Sequence, residues 1–374
     1  MSSKQFSKND KGMEILIAES IAKEMPDSKI IAAKKFFDSL FDHKRITKLY
    51  NTYIEGVETS LANTQNGRMY VNYNIDGAVT GRLSNSGGNT KKGGGKATKI
   101  GVSFHTLPRE QIDFNIREYV VAPEGYDFIT IDMKAMELRV LAHVANEKNM
   151  IKAFNSGWDL HDFSTEMTYG KKKENTPKEE WKLIRQICKE VSFLTVYGGT
   201  AYTLANKRNI PEAQAQKIIN AWMDTFPGVR EYFKVIEDYI KQHKYAKTLF
   251  GRFRHLLNID SPVKSIQREA FRQGLNFTVQ SPASDILNCG VIGIHQKLKA
   301  GKFRTKIAAE VHDSVEFIAP KDETDAVIKM AADELVNCHY MKEHFGFGLR
   351  VPLEVEVEVG ASFGTGKPYH LTSS

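Results

Sequence analysis

The stretch that most constrains the fold is Phe128-Ile129-Thr130-Ile131-Asp132-Met133-Lys134-Ala135-Met136-Glu137-Leu138-Arg139. Tyr126 to Ile131 is aromatic and β-branched, which favours a strand. Met136 to Val144 carries apolar residues at helical spacing. An aspartate between a strand and a helix sits on a rigid edge, where a metal ligand is well held. The same residue in isolation reads as a helix cap. A second carboxylate shifts the balance. Lys306 to Ile318 reads as two short strands around His312-Asp313-Ser314, which puts Asp313 at a tight turn. Aspartates on neighbouring strand ends can bind two magnesium ions about 4 Å apart and stabilise an in-line phosphoryl displacement. Hard carboxylate ligands without a Cys or His cluster suit magnesium.

Composition narrows the class. A chain of 374 residues, 41% apolar and 26% charged, buries a sizeable core and divides into two or three subdomains. Its net charge of +7 points to an anionic partner, nucleic acid first. Cys188, Cys289 and Cys338 form no C-x-x-C pair, which argues against a disulfide scaffold or zinc ribbon and fits a reducing compartment. There is no H-E-x-x-H spacing, no apolar run of membrane-spanning length and no signal peptide ahead of the polar Ser2 to Lys11. A membrane partner is not expected.

Along the chain, helices are expected over Glu14 to Ala22 and Ile30 to Tyr53, with Ile31, Phe36, Phe37, Leu40 and Phe41 facing a core. Arg68 to Asn74 and Ile116 to Val121 read as strands. Between them, Asn85 to Gly101 holds six glycines and four lysines and reads as a mobile basic loop. It is not a phosphate-binding loop, because Ala97 stands where that motif needs Ser or Thr. Asp162 to Met167, Lys178 to Tyr197, Glu212 to Met223 and Val229 to Gln242 read as helices, and Thr248 to Leu257 as a hairpin turning at Gly251. Val263 to Gln280 and Ala283 to Ala300 read as two helices broken near Pro282, and Asp322 to His339 as a further helix. Val351 to Val359 alternates strictly, with Leu353, Val355, Val357 and Val359 on one face and Glu354, Glu356 and Glu358 on the other.

Two polar stripes carry further signal. Arg185, Lys189, Phe193 and Tyr197 recur every fourth residue and share a helix face. Cations followed by aromatics suit a nucleotide, triphosphate at one end and base and sugar at the other. Arg272, Asn276 and Gln280 repeat with the same spacing, as side chains tracking a nucleic-acid groove do.

Taken together these segments resemble the DNA polymerase I family, family A. Asp132 to Arg139 resembles its motif A. Arg185, Lys189, Phe193 and Tyr197-Gly198 resemble motif B, and Val311-His312-Asp313 resembles motif C. Thr80-Gly81-Arg82-Leu83-Ser84, Asp159-Leu160-His161, Phe226-Pro227-Gly228-Val229, Gly251-Arg252 and Asn276 with Gln280 follow in the family's order, from about Leu49 onward. The resemblance implies an α+β right-hand polymerase fold, with an antiparallel palm sheet, helical fingers and a truncated helical thumb. On this reading 1–67 is a partial thumb, 68–142 and 261–374 are palm, and 143–260 are fingers.

The implied function is template-directed DNA synthesis on primer–template DNA from dNTPs. Asp132 and Asp313 would hold two Mg2+ ions, and Arg185, Lys189 and His161 the triphosphate. Lys189 would also donate a proton to pyrophosphate. Phe193 and Tyr197 would shape the pocket, with Phe193 implying preference for a 3′-hydroxyl over a dideoxy sugar. Glu137 would exclude a ribose 2′-hydroxyl. Arg82, Arg272, Asn276, Gln280 and His312 would touch the primer–template. Motif A departs from the family pattern at Met133, Lys134 and Ala135. Motif C has Ser314 where a Glu is common, so a third carboxylate is missing and reduced activity is expected. The short stretch before Thr80 leaves room for only part of a thumb and for no proofreading exonuclease, which implies either a fragment or one half of a split polymerase, as in some phage-like members, whose separate partner polypeptide carries the missing thumb and exonuclease. The implied location is cytoplasmic, in the host cell for a phage-encoded chain. A single-subunit RNA polymerase shares the two-aspartate palm, but Glu137 speaks against it. A non-catalytic DNA-binding subunit has no need of both aspartates and the full motif B face.

Overall fold

The computed structural model describes residues 27–64, 66–90, 98–108 and 115–371. The helix expected over Glu14 to Ala22 and part of the glycine–lysine stretch lie outside them. In chain order the elements are α1 (Asp27–Lys48), a π-helical segment (Leu49–Ile54), α2 (Glu55–Ala62), β1 (Val71–Asn74), β2 (Ser84–Gly87), β3 (Asn89–Thr90), β4 (Thr98–Lys99) and a 3-10 turn (Ile116–Tyr119). Then come β5 (Tyr126–Met133), α3 (Met136–Val144), α4 (Lys148–Asn155), α5 (Leu160–Tyr169), α6 (Lys178–Val196), α7 (Ala201–Arg208), α8 (Glu212–Thr225) and α9 (Pro227–His243). The chain continues with β6 (Tyr245–Lys247), β7 (Phe253–His255), α10 (Lys264–Ala300), β8 (Lys306–Val311), β9 (Ser314–Pro320), α11 (Thr324–Asn337), α12 (His339–Phe345), β10 (Val355–Gly360) and β11 (Lys367–Pro368).

The chain forms two compact units, one of 1–72 with 85–107 and one of 73–84 with 108–374. In the first, Tyr53, Val102, Phe104 and Leu107 are buried, and the Tyr53 hydroxyl donates to the Thr106 carbonyl. The helical run begun by α1 passes through the π segment into α2 instead of ending at Tyr53. Ile31 and Phe36 are exposed, contrary to expectation, while Phe37, Leu40 and Phe41 are half-buried. At about 100° per residue Ile31 and Phe36 both lie a third of a turn or so from Phe37, on opposite sides of the stripe that it heads.

The second unit is organised around a five-stranded antiparallel sheet in the order β11-β10-β5-β9-β8. Residues paired across an antiparallel sheet share a face. Ile129, Ile131, Val315, Phe317 and Val357 share one, all buried, and α11 packs on β5, β9 and β10 beneath it. The other face carries Thr130, Asp132, Ser314, Glu316, Glu356 and Glu358. The strand expected from Val351 begins only at Val355, because Pro352 has no N–H for the ladder. Val351 and Leu353 are nonetheless buried. The Pro352 carbonyl accepts from Arg139, which also donates to Glu354 at 2.7 Å and lies over the Phe154 ring.

Two further expectations fail for local reasons. Ile116 to Val121 is no strand. The Asn115 side chain accepts from the Arg117 N–H at 3.1 Å and caps a 3-10 turn, and Val121 forms only a single bridge to Ser362. The helix expected to break at Pro282 runs through it as one 37-residue element. An interior proline costs about 3 kcal/mol, whereas burying each large apolar side chain returns about 1.5–3 kcal/mol. Phe277, Val279, Ile286 and Leu287 around it are all buried. Among the described residues no helix is long and apolar enough to cross a membrane. Phe317 is fully buried at the centre of the sheet's core face, so Phe317→Ala should cost about 3–5 kcal/mol. A denaturant titration should show this as a lower midpoint with an unchanged slope.

Candidate active site

Both sequence-selected aspartates arrive at the same end of neighbouring strands. Asp132 lies near the end of β5 and pairs with Ser314, the first residue of β9. Asp313 lies in the two-residue turn between β8 and β9, and its carbonyl accepts from the Met133 N–H at 3.0 Å. The turns beside both aspartates are tight enough to force left-handed backbone at residues other than glycine. Ala135 has φ 49° where β5 gives way to α3, and His312 has φ 61° beside Asp313. Such conformations are uncommon outside glycine and collect at functional sites.

A cavity of about 530 Å³ opens above these strand ends. Asp132, Asp313, Glu137, His312, Lys189, Phe193 and Tyr197 line it, so α6 brings its cation and both its aromatics to the aspartates. The Phe193 and Tyr197 rings stack at 6.5 Å with 18° between planes. Just past the end of α6, Gly198 has φ +64°, and a Cβ there would meet Arg272 Cγ at 2.8 Å.

The charges in this region satisfy one another. Arg82 donates to Glu137 at 2.9 Å and to Asp313 at 3.2 Å, and the Tyr197 hydroxyl donates to Glu137 at 2.6 Å. Burial raises the Glu137 carboxyl above its ordinary range, against the lowering effect of Tyr197 and Arg82. Burial and the Glu137 carboxylate push the Tyr197 phenol up. Arg185 is not at the cavity wall. Its guanidinium bonds Asp162 and, at 3.1 Å, Asp159, both on the segment that opens α5. His161 lies between those carboxylates, its ring 6.0 Å from Phe193, and its Nδ1 has no hydrogen-bond partner.

The second polar stripe does not reach this cavity. Arg272 pairs with Glu269, and Asn276 donates to Gln280 at 3.3 Å, leaving the buried Asn276 Oδ1 without a partner.

Sequence reasoning missed several wall residues. Arg117, Thr130, Ser314, Glu356, Glu358 and Phe363 also line the cavity. The alternation of Val351 to Val359 held the clue for two of them. The face opposite the apolar one is the floor of the site, where Glu356 pairs with Asp132 and Glu358 with Thr130. Burial pushes Glu310 up to about 7, helped by the Asp313 charge, and pushes Glu316 up to about 7 as well. Among the described residues no cluster of three or more His, Cys, Asp or Glu is arranged to hold a metal ion. Two aspartates nonetheless fit magnesium, which characteristically takes one or two carboxylates and completes its shell with water and substrate phosphate.

The buried His161 gives a pH signature. Burial lowers its imidazole from the ordinary 6.5 to about 4, with Arg185 and Lys189 adding to the effect. The unfolded chain therefore takes up the proton first on acidification. The stability from a neutral His161 is complete above pH about 6.5 and is lost as pH falls toward about 4. His161→Gln should remove about 2–3 kcal/mol of this acid sensitivity, read from melting temperatures across that range.

The sequence and fold were compared with known proteins. The family model for DNA polymerase family A matches residues 6–365. DNA polymerase I of Chloroflexus aurantiacus is 30% identical over 330 residues, covering 88% of this chain and 32% of that protein. The thermostable DNA polymerase I of Thermus aquaticus is 28% identical over 336 residues, covering 90% and 37%. The chain thus spans about a third of the length of these relatives. Among solved structures, the POL domain of Pol1 from M. smegmatis, in complex with DNA primer-template and dNTP, superposes with a TM-score of 0.76 at 26% identity. The match covers 97% of this chain and 57% of that one. With the family model matching almost from end to end, and the motif residues gathered on one sheet edge, this chain belongs to DNA polymerase family A.

Proposed function

We propose that the chain is a template-directed DNA polymerase that extends a primer with dNTPs by nucleotidyl transfer. The observation that carries this reading is the meeting of Asp132 and Asp313 in one cavity with Lys189, Phe193 and Tyr197 of α6. The M. smegmatis relative bound to DNA primer-template and dNTP supports the same substrates for this chain. Residues 68–142 and 261–374 form the palm on this reading, 143–260 the fingers, and 1–67 belong to the thumb.

Asp132 and Asp313 would hold two Mg2+ ions. Such ions, when bound, activate the attacking hydroxyl and neutralise the leaving oxygen. The remaining work falls to side chains. Lys189 is exposed at the cavity wall, within reach of a triphosphate, and is the candidate proton donor to the departing pyrophosphate. Arg185 binds phosphate by exchanging the Asp159 and Asp162 carboxylates for phosphate oxygens, a bidentate substitution suited to a guanidinium. Neutral His161 adds a hydrogen bond without adding charge. Phe193 and Tyr197 pack against base and sugar. Arg82 neutralises Glu137 and Asp313 before substrate arrives and turns toward the primer end when DNA binds, beside His312. Arg272, Asn276 and Gln280 follow the duplex. Glu137 is held by the Tyr197 hydroxyl at 2.6 Å, and this rigidity lets it reject a 2′-hydroxyl by contact.

Asp132→Asn and Asp313→Asn should each lower primer extension by about a thousandfold or more, while salt-sensitive DNA binding stays within about twofold. Extension retained by both variants would refute the assignment. Glu137→Ala should raise ribonucleotide incorporation relative to deoxyribonucleotide, measured as the ratio of the two kcat/KM values. An unchanged ratio would remove Glu137 from sugar selection.

A further inference from the structure

The carboxylate absent at position 314 has a near neighbour. Glu316 lies two residues along β9 on the same face, fully buried, and does not line the cavity. Its Oε2 accepts from the Thr130 hydroxyl at 2.5 Å. Its Oε1 lies 2.6 Å from Ser314 Oγ, which in turn lies 2.9 Å from the Val311 carbonyl oxygen. A carbonyl oxygen only accepts, and a serine hydroxyl has one proton to give. All three contacts are hydrogen bonds at once when Ser314 donates to Val311 and Glu316 carries a proton that it donates to Ser314; with Glu316 ionised, Ser314 donates to it and the contact with the Val311 carbonyl is left without a proton. With Glu316 protonated, every polar atom in the chain has a partner, as a buried network requires.

The placing of the network matters as much as its chemistry. Thr130 is two residues before Asp132 on β5, and Ser314 directly follows Asp313. The Ser314–Val311 bond spans the His312-Asp313 turn. Glu316 therefore couples the strand that bears one aspartate to the turn that bears the other.

We propose that Glu316 is a positioning residue acting as a neutral carboxylic acid: it ties Thr130 to Ser314 across β5 and β9, fixes the spacing of Asp132 and Asp313, and is not a displaced third metal ligand. The assignment rests on the polymerase reading above for what the two aspartates do. The elevated carboxyl of Glu316 agrees with it. An ionised ligand needs access to the cavity, and Glu316 has none.

The test uses the full chain with Glu316→Gln, Glu316→Met and Thr130→Val. The glutamine amide can donate to Ser314 and accept from Thr130, so it should rescue, with kcat within about threefold of the parent. Methionine fills the space without hydrogen bonds and should lower kcat by about tenfold, with a melting temperature equal to or above the parent's, since a buried carboxyl is costly. Thr130→Val keeps the shape, loses the hydroxyl and should lower kcat in the same direction. Mn2+ binding to the free protein, followed by electron paramagnetic resonance, should weaken by about fivefold in the methionine and valine variants and hold in the glutamine one. Glutamine as damaging as methionine would overturn the proposal, because ionised charge would then be what the site needs. Parent-like kcat and Mn2+ affinity in Thr130→Val and Glu316→Met would overturn it too. A methionine variant that fails to fold leaves Thr130→Val to decide. The parent's own primer extension reports on the polymerase reading, whereas the variant-to-parent Mn2+ ratio reports on Glu316 even if the parent extends nothing.

Discussion

The hydrogen bond from the Met133 N–H to the Asp313 carbonyl, with the Asp132–Ser314 pairing beside it, is what turns distant residues into a site. A one-residue slip of β9 against β5 would send Asp132 and Ser314 to opposite faces. The register is defended from below. Ile129, Ile131, Val315 and Phe317 are fully buried on the core face, so any slip would move them toward solvent. Hydrophobic burial thus sets the geometry of a polar site on the opposite side of the same sheet.

Other features follow from that floor. Left-handed residues at Ala135 and His312 bring α3 and the β8–β9 turn close to the strand ends. Helix α6 then closes one wall with Lys189, Phe193 and Tyr197. Two cations at or near the wall already have carboxylate partners: Arg82 has Glu137 and Asp313, and Arg185 has Asp159 and Asp162. An anion reaching Arg82 or Arg185 would therefore have to exchange with these carboxylates.

Much of this was legible in the residues. The aspartates and the α6 stripe were found because period and chemistry coincided: a β-branched run ending in Asp, and cations and aromatics every fourth residue. The second stripe had the same period, yet Asn276 turns to Gln280 and Arg272 to Glu269, because spacing says which side chains share a face and not what the face meets. The miss at Pro282 came from weighing a local rule without the burial around it. The miss at Ile116 came from the reverse, apolar residues read as a strand where Asn115 offers a nearer hydrogen bond. Glu356 and Glu358 were on the page as the polar side of an alternating strand, but pairing partners decide whether a polar side meets solvent or substrate. Glu316 left no periodic trace, since its meaning lies in Thr130, which is 186 positions away.

Ala135 and His312 carry a final consequence. Each holds a side-chain-bearing residue in a conformation that costs about 1–2 kcal/mol. Replacing either by glycine would relax the chain locally and also let it wander, because glycine leaves so many backbone states open. Strain relief and local order are therefore opposed at these two positions.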